Sequence, residues 1–196
     1  MSQARPVDRS GAAGAAIATT LGVGLAVAIR WHVFETGALD GVSEGLLFGL
    51  ALLAVALLGG LHVALPRAWP IAAGVAVGGM LVGLSVMVRW PLPPPVLGHA
   101  APLVPWIGVT VLVATCEELV LRGTLWRWVA DAGGDLAALL VTSLLFALIH
   151  VPVYGWHVVP LDLGVGLCFG GLRLWFGGPT APAAAHVLAD IATWWL

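Results

Sequence analysis

Three short stretches of this chain hold polar side chains at spacings that suit acid–base chemistry. The first, Val113 to Gly123, contains two adjacent carboxylates, Glu117 and Glu118, followed by Arg122. Glu118 and Arg122 stand four residues apart, on one helical face and in the favourable acid-then-base order. Glu117 points about 100° away from Glu118. It has no partner on its own helix, and a carboxylate so placed can take and return protons. The second stretch, Leu144 to His150, puts Phe146 and His150 on one face, where the ring can brace the imidazole. The third, Ala183 to Asp190, carries His186 and Asp190, again four apart, just after a run of alanines that permits close helix approach.

The elements that must position these groups are apolar. Of 196 residues, 60% are hydrophobic and 9% are charged, against about 25% charged in a typical soluble domain. Too little polar surface is left to keep a folded chain in water. The net charge of −2 is too small to suggest nucleic acid as a partner. Spanning a bilayer as a helix takes roughly 20 apolar residues. Seven segments qualify, near 14–31, 45–65, 71–90, 103–129, 136–153, 158–177 and 180–196. The reading is therefore all-α: a polytopic transmembrane bundle of about seven helices, within a range of six to eight, forming one membrane domain over residues 1–196. The bilayer is its first partner. The apolar run at 14–31 is long for a signal-peptide core and reads as a retained first helix.

Glycine and proline mark the breaks, at Gly37–Ser43, Pro66–Pro70, Pro91–Pro105, Asp131–Asp135 and Gly177–Pro179. Glycines four apart (Gly74 and Gly78, Gly79 and Gly83, Gly166 and Gly170) suit close helix packing in lipid. Trp31, Trp69, Trp90, Trp106, Trp156 and Trp194 fall near helix ends, as an interfacial belt would. Cys116 and Cys168 read as buried thiols. His32, Glu35, Asp40 and Glu44 read as a solvated loop, His62 as core, and Asp162 as a helix-start carboxylate. With the N-terminus in the cytoplasm, Arg5, Arg9, Arg67, Arg127 and Arg173 lie inside and Arg30 and Arg89 outside, which favours that orientation. The composition suits a bacterial inner-membrane protein.

Ionisable groups within hydrocarbon are costly, and helices turn them inward toward one another or toward a wet cavity. Glu117, His150, and His186 with Asp190 are therefore expected to converge. Their stretches, EELVLR, FALIH and HVLAD, resemble the three motifs EExxxR, FxxxH and HxxxN/D of the CPBP membrane proteases, in order and in internal spacing. That family holds the type II CAAX prenyl endopeptidases and bacteriocin-processing or immunity relatives, often called Abi. The resemblance covers about residues 105–196, while residues 1–100 match it only as membrane helices. It implies hydrolysis of a peptide bond in a membrane-associated protein or peptide, by water activated by Glu117 and His150. It also implies that Glu118 and Arg122 hold the first carboxylate and that His186 and Asp190 assist the oxyanion. Asp190 stands where many members have Asn, and an ionised Asp has no proton to donate, so it must be protonated or serve to orient His186.

The family has been read both as glutamate protease and as metalloprotease. Glu117, His150, His186 and Asp190 are a chemically reasonable Zn²⁺ set. The chain has no H-E-x-x-H, however, and four protein ligands would leave no open position, so the metal-free scheme with no cofactor is favoured. Two other classes compete. In a non-catalytic immunity or scaffold protein, Glu118 and Arg122 would be a structural ion pair and the histidines packing. A transporter would use the same groups as a proton relay, but no internal repeat supports it.

Overall fold

The structure is a computed structural model that describes residues 8–62, 66–89 and 102–196. Arg5, Trp90, His99 and Pro91–Pro95 lie outside the described residues. All described regular structure is helical: α1 (Arg9–Thr36), α2 (Gly41–Leu58), α3 (Ala68–Arg89), α4 (Leu103–Glu118), a π-helix (Leu119–Leu125), α5 (Trp126–Gly133), α6 (Asp135–Tyr154), α7 (Val159–Phe176) and α8 (Thr180–Ala192). Short 3₁₀ turns precede α7 and follow α8.

Among the described residues, six helices are long and apolar enough to cross a membrane, by length and composition. Their outward faces carry large apolar side chains, with Leu21 69% exposed, Met80 64% and Leu136 69%. A water-soluble monomer rarely shows contiguous apolar surface on that scale, and the protein is an integral membrane protein. The seventh expected segment, 180–196, departs from this pattern. It forms the 13-residue α8 and a single 3₁₀ turn; at 1.5 Å per residue α8 is only about 20 Å long, short of the roughly 30 Å of hydrocarbon. It is an inner helix, flanked by α3, α4 and α7, with Ala181 and Ala185 fully buried.

Small residues let α8 sit so deep. A Cβ on Gly74 would collide with the Ala181 carbonyl, and one on Gly78 would stand 2.6 Å from that of Ala185. A Cβ on Gly166 would stand 3.0 Å from the Ser143 carbonyl oxygen on α6, and one on Gly170 would strike Leu139. The pair Gly79 and Gly83 behaves differently: both face open space and mediate no helix contact among the described residues. Phe48, Leu52 and Ala56 of α2 pack with Val23 of α1 and with Val120, Leu121 and Leu125 of the π-helix to form the core.

The expected solvated loop over His32–Glu44 is mostly helix. His32 and Glu35 complete α1, Glu44 opens α2 and pairs with Arg30 at 3.0 Å, and Asp40 caps α2. The Asp40 carboxylate accepts from the Ser43 and Val42 N–H groups at 2.9 and 3.0 Å. Those bonds and the Ser43 hydroxyl hold it below the usual carboxylate range. Cys116 is buried, Cys168 is half-buried, and both are free thiols.

Candidate functional site

The segment Leu103–Gly133 runs as one helical rod of 31 residues, and its seven-residue π-helical stretch begins just after Glu118. π-Turns are rare and recur at functional sites. Here the stretch contains Arg122, which is fully buried. Arg122 Nη1 donates to Glu118 Oε1 at 2.9 Å, and Nη2 to the Gly166 carbonyl of α7 at 3.0 Å. Its guanidinium lies over the rings of Phe146 (4.8 Å) and Phe169 (5.8 Å). An aromatic clamp of this kind suits a planar, weakly hydrated cation taken out of water.

His186, only 3% exposed, brings the two carboxylates together. Its Nδ1 lies 3.2 Å from Glu118 Oε1, and its Nε2 lies 3.3 Å from Asp190 Oδ2 and 3.8 Å from Glu117 Oε2. Both ring nitrogens thus face carboxylate oxygens, an arrangement in which the ring donates on both sides. Phe146 and Phe169 fix the ring plane, each with its centroid 5.3 Å away. Glu118 Oε1 is shared between Arg122 and His186. Among the described residues, the buried Glu117 Oε2, Glu118 Oε2 and Arg122 Nε have no hydrogen-bond partner. The Asp190 side chain is 42% exposed, so the network reaches from a sealed interior to an open edge.

His150 approaches from α6. Its Nδ1 is 2.8 Å from the Phe146 carbonyl, which can only accept, so Nδ1 carries the proton and in the neutral ring Nε2 keeps its lone pair. The Phe146 ring braces it at 4.9 Å, as the shared face predicts. Its charged neighbour is Asp162, with Oδ2 3.7 Å from Nδ1. Glu117 makes no ion pair with His150 among the described residues; its histidine neighbour is His186.

The structure thus joins Glu117, Glu118, Arg122, Phe146, His186 and Asp190 in one network and places His150 beside it through Phe146. Sequence reasoning missed three contributors. Asp162 is in the first turn of α7, as a helix-start carboxylate should be, yet it also faces His150. Phe169 is a wall of the site with no motif to mark it. Tyr154 stacks on His150 at 5.9 Å, and its spacing of four on the same face was a usable signal. A fourth residue, Arg173, donates from Nε to the Arg122 backbone oxygen at 2.7 Å. Among the described residues, no three His, Cys, Asp or Glu side chains are grouped as a metal ion would require.

Residues 100–192 match the family model described as Rce1-like, type II CAAX prenyl endopeptidase Rce1-like. The matched segment contains all three motifs and every residue of the network. No curated protein and no solved structure matches the chain.

Proposed function

We propose, from the match of residues 100–192 to the Rce1-like type II CAAX prenyl endopeptidase family model, that this chain is an intramembrane endopeptidase that cleaves a membrane-anchored protein or peptide. The observation that carries this reading is His186 bridging Glu118 and Glu117, at 3.2 and 3.8 Å, inside an otherwise apolar bundle. Glu118 is committed to Arg122, which leaves Glu117 as the carboxylate available for a proton. Among the described residues its Oε2 accepts no hydrogen bond, with His186 Nε2 standing 3.8 Å away, and it can accept from a water.

In this mechanism Glu117 takes the proton of the attacking water, and His150 assists from Nε2. His186 then shares its Nε2 N–H, which faces Asp190 at 3.3 Å, with the oxygen on which negative charge develops; one such donor is commonly worth about 3–4 kcal/mol. Asp190 orients His186 rather than donating itself, which answers the problem posed by an Asp where Asn is commoner. Glu118 and Arg122 anchor the assembly, and no metal takes part. The active chain works in a bacterial inner membrane with its N-terminus in the cytoplasm, as one membrane domain.

The test begins with membrane proteins that accumulate uncleaved in cells lacking this protein. Wild-type chain should restore their cleavage, while Glu117→Gln should lower it by about 10²–10⁴-fold and still insert and fold. Normal cleavage by Glu117→Gln would overturn the mechanism, and absence of any uncleaved protein would overturn the function.

A further inference from the structure

A second polar region lies away from this network. A cavity of about 800 Å³ opens where the loops α2–α3 and α7–α8 meet the end of the π-helix, within the range of about 300–1,000 Å³ typical of ligand sites. Arg67, Arg127 and Arg173 line it, together with His62, which is exposed at the end of α2's connection rather than in a core. Among the described residues no carboxylate lines it. Among the described residues none of the three arginines forms an ion pair, although Asp135 is near enough for Arg173 to feel its charge.

Backbone and aromatic contacts hold Arg127 and Arg173 in place without neutralising them. Arg127 gives Nη2 to the Gly59 carbonyl at 3.2 Å and lies over Trp128 at 4.3 Å, while its buried Nε has no acceptor. Arg173 spends Nε on the Arg122 carbonyl and lies over Trp126 at 5.4 Å. Arg67 is exposed. Charges fixed in this way and left unpaired suit a dianionic or monoanionic oxygen ligand, which guanidinium groups grip through several parallel N–H donors.

The position of the cavity points to the source of that ligand. The cavity lies at the ends of spanning helices, and its walls include Trp69 and Trp175, which are 71% and 84% exposed. Such aromatic residues mark the headgroup level of a bilayer, and basic pockets between spans at that level bind acidic headgroups. We propose that this cavity is a binding site for the phosphate of an anionic phospholipid headgroup, held by Arg67, Arg127 and Arg173. The site is separate from the proteolytic network but connected to it, since Arg173 holds the backbone oxygen of Arg122, whose side chain anchors Glu118.

The experiment is native mass spectrometry of the full chain in detergent, titrated with phosphatidylglycerol, with phosphatidylcholine, and with inorganic phosphate. The wild-type chain should bind one phosphatidylglycerol saturably and prefer it to phosphatidylcholine. Arg67→Gln should weaken that binding about fivefold, and Arg67→Gln with Arg127→Gln about thirtyfold. Because Arg67 is exposed, its variant should fold as the wild type does, and an equal melting temperature checks it. Undiminished phosphatidylglycerol binding in both variants would overturn the proposal. Arginine-dependent binding of inorganic phosphate without phosphatidylglycerol binding would overturn the lipid assignment and leave a site for free phosphate.

Discussion

The bundle carries an acidic polar region and a basic one, and they treat charge in opposite ways. In the acidic region Glu118 is bonded to Arg122 and His186, and His186 to Asp190, so each charge is largely spent on another. In the basic region three arginines line a cavity with no carboxylate among its walls. Burial explains the difference. Glu118 and Arg122 are fully enclosed, and a buried charge without a partner costs several kcal/mol. Arg67 and the tryptophans beside it face outward, where water and headgroups can compensate a free cation. A paired, buried network keeps its geometry and suits catalysis, whereas unpaired, accessible charge suits binding.

Breaking the paired region should cost most. Arg122→Ala leaves Glu118 buried without its cation and should lower stability by about 3–5 kcal/mol, read as a depressed melting temperature in detergent; an inactive variant of unchanged stability would mean that Arg122 contacts substrate instead. His186→Ala should separate catalysis from anchoring. Cleavage should fall by about 10²–10³-fold while melting changes far less than in Arg122→Ala, and equal losses of stability in the two would erase the distinction. Gly78→Val tests the packing that seats α8, since its side chain would meet the Ala185 backbone. It should cost about 1–3 kcal/mol, whereas Gly79→Val, in open space, should cost almost nothing. Asp190→Asn should keep cleavage within about tenfold of wild type, because an amide oxygen still accepts from His186 Nε2 and a single neutral hydrogen bond differs from a charged one by only about 1 kcal/mol. Chelation should have the smallest effect: activity should be unchanged after treatment with a strong chelator. Loss of activity with zinc, regained on re-addition, would turn the same residues into ligands.

Much of this was legible in the sequence because its signals are local. The i,i+4 pair of Glu118 and Arg122, the bracing of His150 by Phe146, and the packing of Gly74 and Gly78 each follow from helical periodicity within one element. The parts that escaped depend on contacts between elements. Nothing in the spacing of Asp162 reveals that it faces His150 across a turn, and nothing about Arg173 reveals that it bonds to the Arg122 carbonyl 51 residues away. The length of α8 was misjudged because hydropathy does not distinguish a helix facing lipid from one enclosed by other helices. Gly79 and Gly83 share the spacing of their neighbours but sit on the other side of α3, where no helix comes close.

The π-helix stores an angle in the chain's residue count. Leu119–Leu125 winds wider than the helices on either side of it, so the rod beyond is turned relative to the rod before. Deleting one residue from this stretch would let the ladder tighten to ordinary α pitch without disturbing apolar content or predicted span. The wider winding takes up roughly the angle of one extra residue, so the rod beyond would keep its bearing, and Trp128 would still aim its indole N–H at the Gly59 carbonyl, now 2.9 Å away. A deletion in the ordinary α-helical turn that follows has no such slack. It would swing everything beyond it by about 100°, Arg127 and Trp128 included, while Glu117 and Glu118 stayed where they are. A relative shortened inside Leu119–Leu125 would therefore hold its two polar regions in register, and one shortened just after it would not.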